Sequence, residues 1–210
     1  MALRLCKIDD LLRSDHLYLT EDDHCFFFRE YTANKSYDYG ETNDLIQNFK
    51  KELDKKGTSQ WKYKGKAINK IAEEFRESLK AEWFEEYTLV PIPPSKSKED
   101  PLYDDRMVQM LKIFGQGLNL DIRELVLQRE STPPFHKITP RPPWEDLVDN
   151  YYIDENIANP EPKKIILFDD LLTEGAHFKA AQHVLEKRYP GIITRGVFIA
   201  RRVYADAEEI

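Results

Sequence analysis

The chain has 210 residues, 41% of them hydrophobic and 33% charged, with a net charge of −7. That length suits one full α/β domain with an elaboration, or two small units sharing a core. Acids and bases are interspersed, which argues against the basic stripe of a direct nucleic-acid binder, and no apolar run approaches the ~20 residues of a membrane span.

The opening "MALRLCKIDDLLRSDH" has neither a long apolar core nor a small-residue cleavage site, so a cytoplasmic location is expected. Cys6 and Cys25 lack the paired spacing of a zinc site, and reduced thiols are the expected state. "HCFFFREY", 24–31, reads as a strand, its aromatics forming core or a covered edge, with a base-stacking platform as the other reading. "ETNDLIQNFKKEL" starts a helix capped by Thr42 or Asn43, with Leu45, Ile46 and Phe49 on one face. In "AINKIAEEFRESLKAEW", Ile68, Ile71, Ala72, Phe75 and Leu79 fall at helical spacing and mark a packing helix.

The pattern then changes. "YTLVPIPP" is a short strand stopped by Pro93-Pro94, "YDDRMVQMLKIFGQGL" a helix ending near Gly115 to Gly117, and "RELVLQ" a strand. Residues 129–146 hold five prolines and no periodicity; such a stretch inside a compact domain is disordered or functional. "KKIILFDD", a helix over roughly 176–188 and "TRGVFIARR" complete a strand-helix-strand unit. The alternation predicts an α/β fold, a mainly parallel sheet with helices on both faces. Ligands of such sheets sit beyond the carboxyl ends of the strands. Two strands run into unusual loops there, "VPIPPSKSK" and "LFDDLLTEG".

Asp169 and Asp170 follow four apolar residues, which places them at a strand end beside that crevice. Carboxylates accept hydrogen bonds from vicinal hydroxyls, and two adjacent acids can also hold a divalent ion. "TEGAH" then opens a helix whose first N–H groups suit a phosphate. Strand, acid pair, small-residue loop and helix together suggest a ribose carrying a 5′-phosphate.

"IILFDDLLTEGA" resembles the phosphoribosyl-pyrophosphate signature of type I phosphoribosyltransferases, and "LVPIPPSKSK", "VLQREST", Arg141 and "DNYYID" upstream resemble the ComF-like branch of that family. The resemblance covers roughly residues 87–203, with a weaker likeness in "FREYTANKSYDYGETNDLIQNFKK". It implies a phosphoribosyltransferase-like core over 87–210 and an N-terminal α+β hood over 1–86. It also implies that Asp169 and Asp170 hold the ribose hydroxyls and Mg²⁺, and that Thr173, Glu174, Gly175, Ala176 and His177 wrap the 5′-phosphate. Pro94, Ser95 and Lys96 would receive pyrophosphate, and the proline-rich segment would close over the reaction centre with Arg129, Lys137 and Arg141 as its cations. Arg141, nearest the tip, is the expected closing cation. The base or amine acceptor would be recognised from the hood, and a homodimer is left open.

Two positions depart from the family pattern. Glu174 stands where a second Thr or Ser is usual, and His177 stands where the loop usually ends in Thr. A carboxylate close to a phosphate costs affinity unless it points outward; His177 could compensate as a cation or donate one hydrogen bond. Thr173 occupies the place of a base-addressing aspartate in purine-salvage enzymes. Three functions follow: transfer of a phosphoribosyl group to a nitrogen nucleophile; a nucleotide- or phosphoribosyl-binding regulatory module that has lost turnover; and, by analogy with the ComF-like branch alone, a partner in DNA uptake or defence.

Overall fold

The computed structural model describes residues 3–133 and 143–205. Its centre is a six-stranded sheet made by β1 (Cys6–Lys7), β2 (Cys25–Thr32), β3 (Tyr87–Pro91), β4 (Asp121–Ile122), β7 (Lys164–Leu172) and β8 (Ile193–Val203), in the order β1-β2-β8-β7-β3-β4. Every neighbouring pair is parallel except β1 with β2. Strands buried on both faces read as continuous apolar runs, and "IILF" in β7 and "VFIA" in β8 are such runs.

Helices cover both faces. One face carries α2 (Glu41–Phe49), α3 (Lys62–Ser78) and α4 (Arg106–Gly115), whose Ile46, Phe49, Ile71, Phe75, Leu111 and Phe114 pack with Phe168 and Ile199. The other carries α5 (Glu145–Asn150) and α6 (Ala176–Arg188), with Phe178, Ala181 and Leu185 against Ile165, Leu167 and Phe198. The one-turn helix α1 (Asp10–Arg13) is capped by Asp9, which accepts from Leu11 and Leu12 N–H at 3.1 and 3.0 Å.

The segment "HCFFFREY" is the core strand its aromatics predict: β2 lies between β1 and β8, with Phe27 and Phe28 buried. Residues before position 87 contribute β1 and β2 to the same six strands as those after it. One local expectation is corrected, the cap of α2. Position 40 is the cap, and Asn43 lies inside the first turn, 2% exposed. Its amide accepts from Thr32 N–H at 3.0 Å and donates to Thr32 O at 2.9 Å, completing the backbone of β2 where that strand ends. A buried amide meeting both groups of one residue outweighs an exposed cap.

Of "RELVLQ", only Val126–Gln128 is strand. This β5 pairs antiparallel with β6 (Tyr151–Ile153) outside the main sheet. The pairing brings the two ends of the proline-rich segment together, with Arg129 N–H donating to Asn150 O at 2.8 Å.

Candidate functional site

The connections locate the site. From β3 the chain passes through α4 on one face and outward to β4; from the adjacent β7 it passes through α6 on the other face and outward to β8 in the opposite direction. The two crossovers part between β3 and β7, so a crevice opens beyond their carboxyl ends. Pro91 to Pro94, Asp104, Arg106, Val126, Glu124 and Asp169 line it. Its cavity volume is about 20 Å³, room for about one water.

The acid pair lies in the strand, not past it: β7 runs on to Leu172, with Leu171 opposite Ala200 of β8. Alternation along a strand sends neighbours to opposite faces, and the two acids meet different surroundings. Asp170 is 2% exposed; one oxygen takes Lys50 Nζ at 2.8 Å and the other takes Arg106 Nε and Nη2 at 3.0 and 2.7 Å. Burial alone would raise its pKa, but the two cations outweigh burial and hold the carboxyl below the ordinary range. Asp169 lines the crevice and accepts from the Asp170 N–H at 2.7 Å. Burial and the Asp170 charge push its carboxyl up to about 7.

Asp170 sits in a ring of charges. Arg106 also meets Asp104 at 2.8 Å, Asp104 meets Lys64 Nζ at 2.7 Å, and Lys64 donates to the carbonyls of Phe49 and Lys51 at 2.9 Å each, on either side of Lys50. Lys64 is 3% exposed, and burial lowers its pKa. Among the described residues, no group of three His, Cys, Asp or Glu could hold a metal ion. The donor chemistry fits Mg²⁺ only in part. Asp170 already carries two cations, so Asp169 is the carboxylate that would hold a divalent ion.

The loop 173–175 links β7 to α6. Gly175 has φ +89°, a left-handed conformation, and a Cβ there would lie 3.0 Å from Leu19 Cδ2; both favour glycine. Gly175 and Ala176 N–H donate to no acceptor among the described residues. Glu174 turns toward Arg202, 3.6 Å away. His177 shares a hydrogen bond of 2.7 Å with the Tyr151 hydroxyl, and burial, helped by Lys50, pushes its pKa down to about 4. At neutral pH it is uncharged, which removes the compensating-cation role.

Other expected residues are distributed as follows. Ser95 O accepts from Thr132 N–H and Gln128 Nε2, each at 2.8 Å, tying the turn after Pro94 to the start of the proline-rich segment. Lys96 lies 3.7 Å from Asp100, and Lys98 meets Glu124 at 2.9 Å. The Arg129 guanidinium lies over the Tyr152 ring, 5.0 Å from its centroid, on the β5–β6 ribbon. Lys137 and Arg141 lie outside the described residues. Lys50, Arg106, Asp104, Lys64, Tyr151 and His16 were missed by sequence reasoning. One signal was available: Lys64 and Arg106 are cations in the first turns of amphipathic helices, against the helix dipole, so another force must hold them there.

We find no match to this chain among family models, curated proteins or solved structures.

Proposed function

We propose that the crevice between β3 and β7 binds a phosphorylated ribose, a nucleotide or phosphoribosyl pyrophosphate, and that the protein is a type I phosphoribosyltransferase-like binding module. The observation that carries this reading is the switch point itself. It brings Asp169 to the crevice wall on one strand and sets the Gly175 and Ala176 N–H groups, which have no acceptor among the described residues, just past the end of the same strand. The acid suits a sugar hydroxyl and the amides suit a phosphoryl group. Binding is favoured over transfer because both oxygens of Asp170 are committed to Lys50 and Arg106, which leaves one carboxylate, not two, for the diol and for Mg²⁺. When bound, Mg²⁺ would shield the ligand's phosphate charge.

Calorimetry with phosphoribosyl pyrophosphate and Mg²⁺, alongside a pyrophosphate-release assay over a panel of nitrogen nucleophiles, tests the proposal. Binding without release is expected. No binding sinks it, and release overturns the non-catalytic part. The transferase reading draws on a separate observation: the β5–β6 ribbon brings the two flanks of the proline-rich segment together beside Ser95, as a closing loop requires. Pyrophosphate release that is lost in Arg141→Ala would favour it.

A further inference from the structure

The loop 173–175 is held from one side. His16 Nδ1 bonds the Thr173 carbonyl, and Tyr18 N–H donates to the Glu174 carbonyl at 2.9 Å. The Gly175 carbonyl accepts Lys179 N–H at 3.0 Å within α6. Residues 14–23, which supply the first two contacts, are themselves anchored. Asp23 pairs with Lys179 of α6 at 3.0 Å, Arg201 of β8 reaches Asp15 at 3.0 Å, and Leu19 packs on Gly175.

Peptide geometry gives these contacts a consequence. The peptide bonds of this loop are trans, so each C=O and the N–H that follows it point to opposite sides. Pinning the Thr173 and Glu174 carbonyls toward residues 16–18 turns the N–H groups of residues 174 and 175 the other way. Together with the left-handed Gly175 and the start of α6, this forms a concave run of amides suited to an anion.

His16 is the informative member. It is 1% exposed, and its Nε2 is buried without a hydrogen-bond partner among the described residues. Packing alone calls for an apolar side chain at such a place. The imidazole leaves one nitrogen unpaired, and what it supplies in return is the Nδ1–H on Thr173; a carbonyl only accepts, so the proton is on Nδ1. We propose that residues 14–23 scaffold the phosphate loop and that His16 is its positioning residue, orienting the loop amides toward a ligand phosphoryl group without touching it. This rests on the phosphoryl-binding reading of the crevice.

The test compares the full chain with His16→Leu and His16→Asn, titrating inorganic phosphate and phosphoribosyl pyrophosphate with Mg²⁺ by calorimetry. Asparagine places an N–H near the position of Nδ1 and leucine does not. His16→Leu should weaken both ligands about tenfold, on the order of one hydrogen bond's worth, and His16→Asn should restore most of the affinity. Equal affinity in wild type and His16→Leu, or equal losses in the two variants, overturns the role of His16 alone. A wild-type chain that binds neither ligand overturns the reading beneath it as well. Should His16→Leu fail to fold, hydrogen exchange on the wild type decides: phosphate should protect the Gly175 and Ala176 amides, and unchanged exchange there refutes the proposal.

Discussion

Arg106 meets one oxygen of Asp170 through two of its nitrogens, at 3.0 and 2.7 Å, while Lys50 meets the other oxygen at 2.8 Å. An arginine on one helix and a lysine just past another thus converge on a strand carboxylate that water hardly reaches. The arrangement fastens α2 and α4 to β7 and fixes the charge state at the floor of the crevice. Despite burial, the Asp170 and Asp104 charges hold the Arg106 guanidinium firmly protonated.

Removing one member should be costly. Arg106→Met leaves Asp170 with Lys50 alone and Asp104 with Lys64 alone, and breaking a buried pair by removing one partner costs about 3 kcal/mol. Urea unfolding at pH 7 measures it. A loss under about 1 kcal/mol would mean that water already screens the pair.

The acid pair makes stability depend on pH in two opposed ways. Asp169 has a raised pKa, so its contribution is full below the unfolded value of 3.8 and is lost as pH rises toward about 7. Asp170 has a depressed pKa, so its contribution is present above 3.8 and is lost as pH falls through its folded value. Asp169→Asn should therefore stabilise the protein at pH 8 and change it little at pH 4. Unfolding midpoints at the two pH values check this; equal shifts at both would contradict it.

His177 titrates in a third window. With its pKa down at about 4 against an ordinary 6.5, the unfolded chain binds its proton first, and stability should fall as pH drops from 6.5 toward 4. His177→Gln should flatten that slope. Paired melting curves at pH 7 and pH 5 give the comparison, and an unaltered slope would assign the acid sensitivity elsewhere.

Asn43 and Thr42 separate the two readings of the helix start. Asn43→Ala strands the backbone N–H and C=O of Thr32, both buried with it, and should cost about 2 kcal/mol. Thr42→Ala should cost a few tenths of a kcal/mol, as for an ordinary surface position. Similar losses for the two would restore the capping role to residue 42.

Glu174 gives a prediction about binding. Its ion pair with Arg202 is long and partly solvated, so Glu174→Thr should move stability by under about 0.5 kcal/mol. It removes an anion beside the loop amides and releases Arg202, so the affinity for phosphoribosyl pyrophosphate should rise several-fold, a gain erased by high salt. Unchanged affinity would show that Glu174 already points away from the ligand.

Much of the architecture was legible along the chain. Continuous apolar runs at "IILF" and "VFIA", helical spacing in α3 and the glycine before α6 are local signals, because each reflects burial or backbone freedom at its own position. Of the crevice, the sequence pointed to the Pro93-Pro94 turn and Asp169, which line it. What could not be read was the company each side chain keeps. Asp169 and Asp170 are chemically identical neighbours, and only the surroundings on each face of β7 push the pKa of one up and that of the other down.

The distance between partners explains that limit. Lys50 and Arg106 lie 120 and 64 residues from Asp170, and His16 lies 157 from Thr173. Sequence by itself located β2, β3, β7, β8 and the helices α2, α3, α4 and α6, since periodicity and turn chemistry act over a few residues. Which cations neutralise Asp170, which segment holds the 173–175 loop, and which acid lines the crevice were decided by folding, because electrostatic and hydrogen-bond energies depend on separation in space and on exclusion of water, and neither is written in chain order.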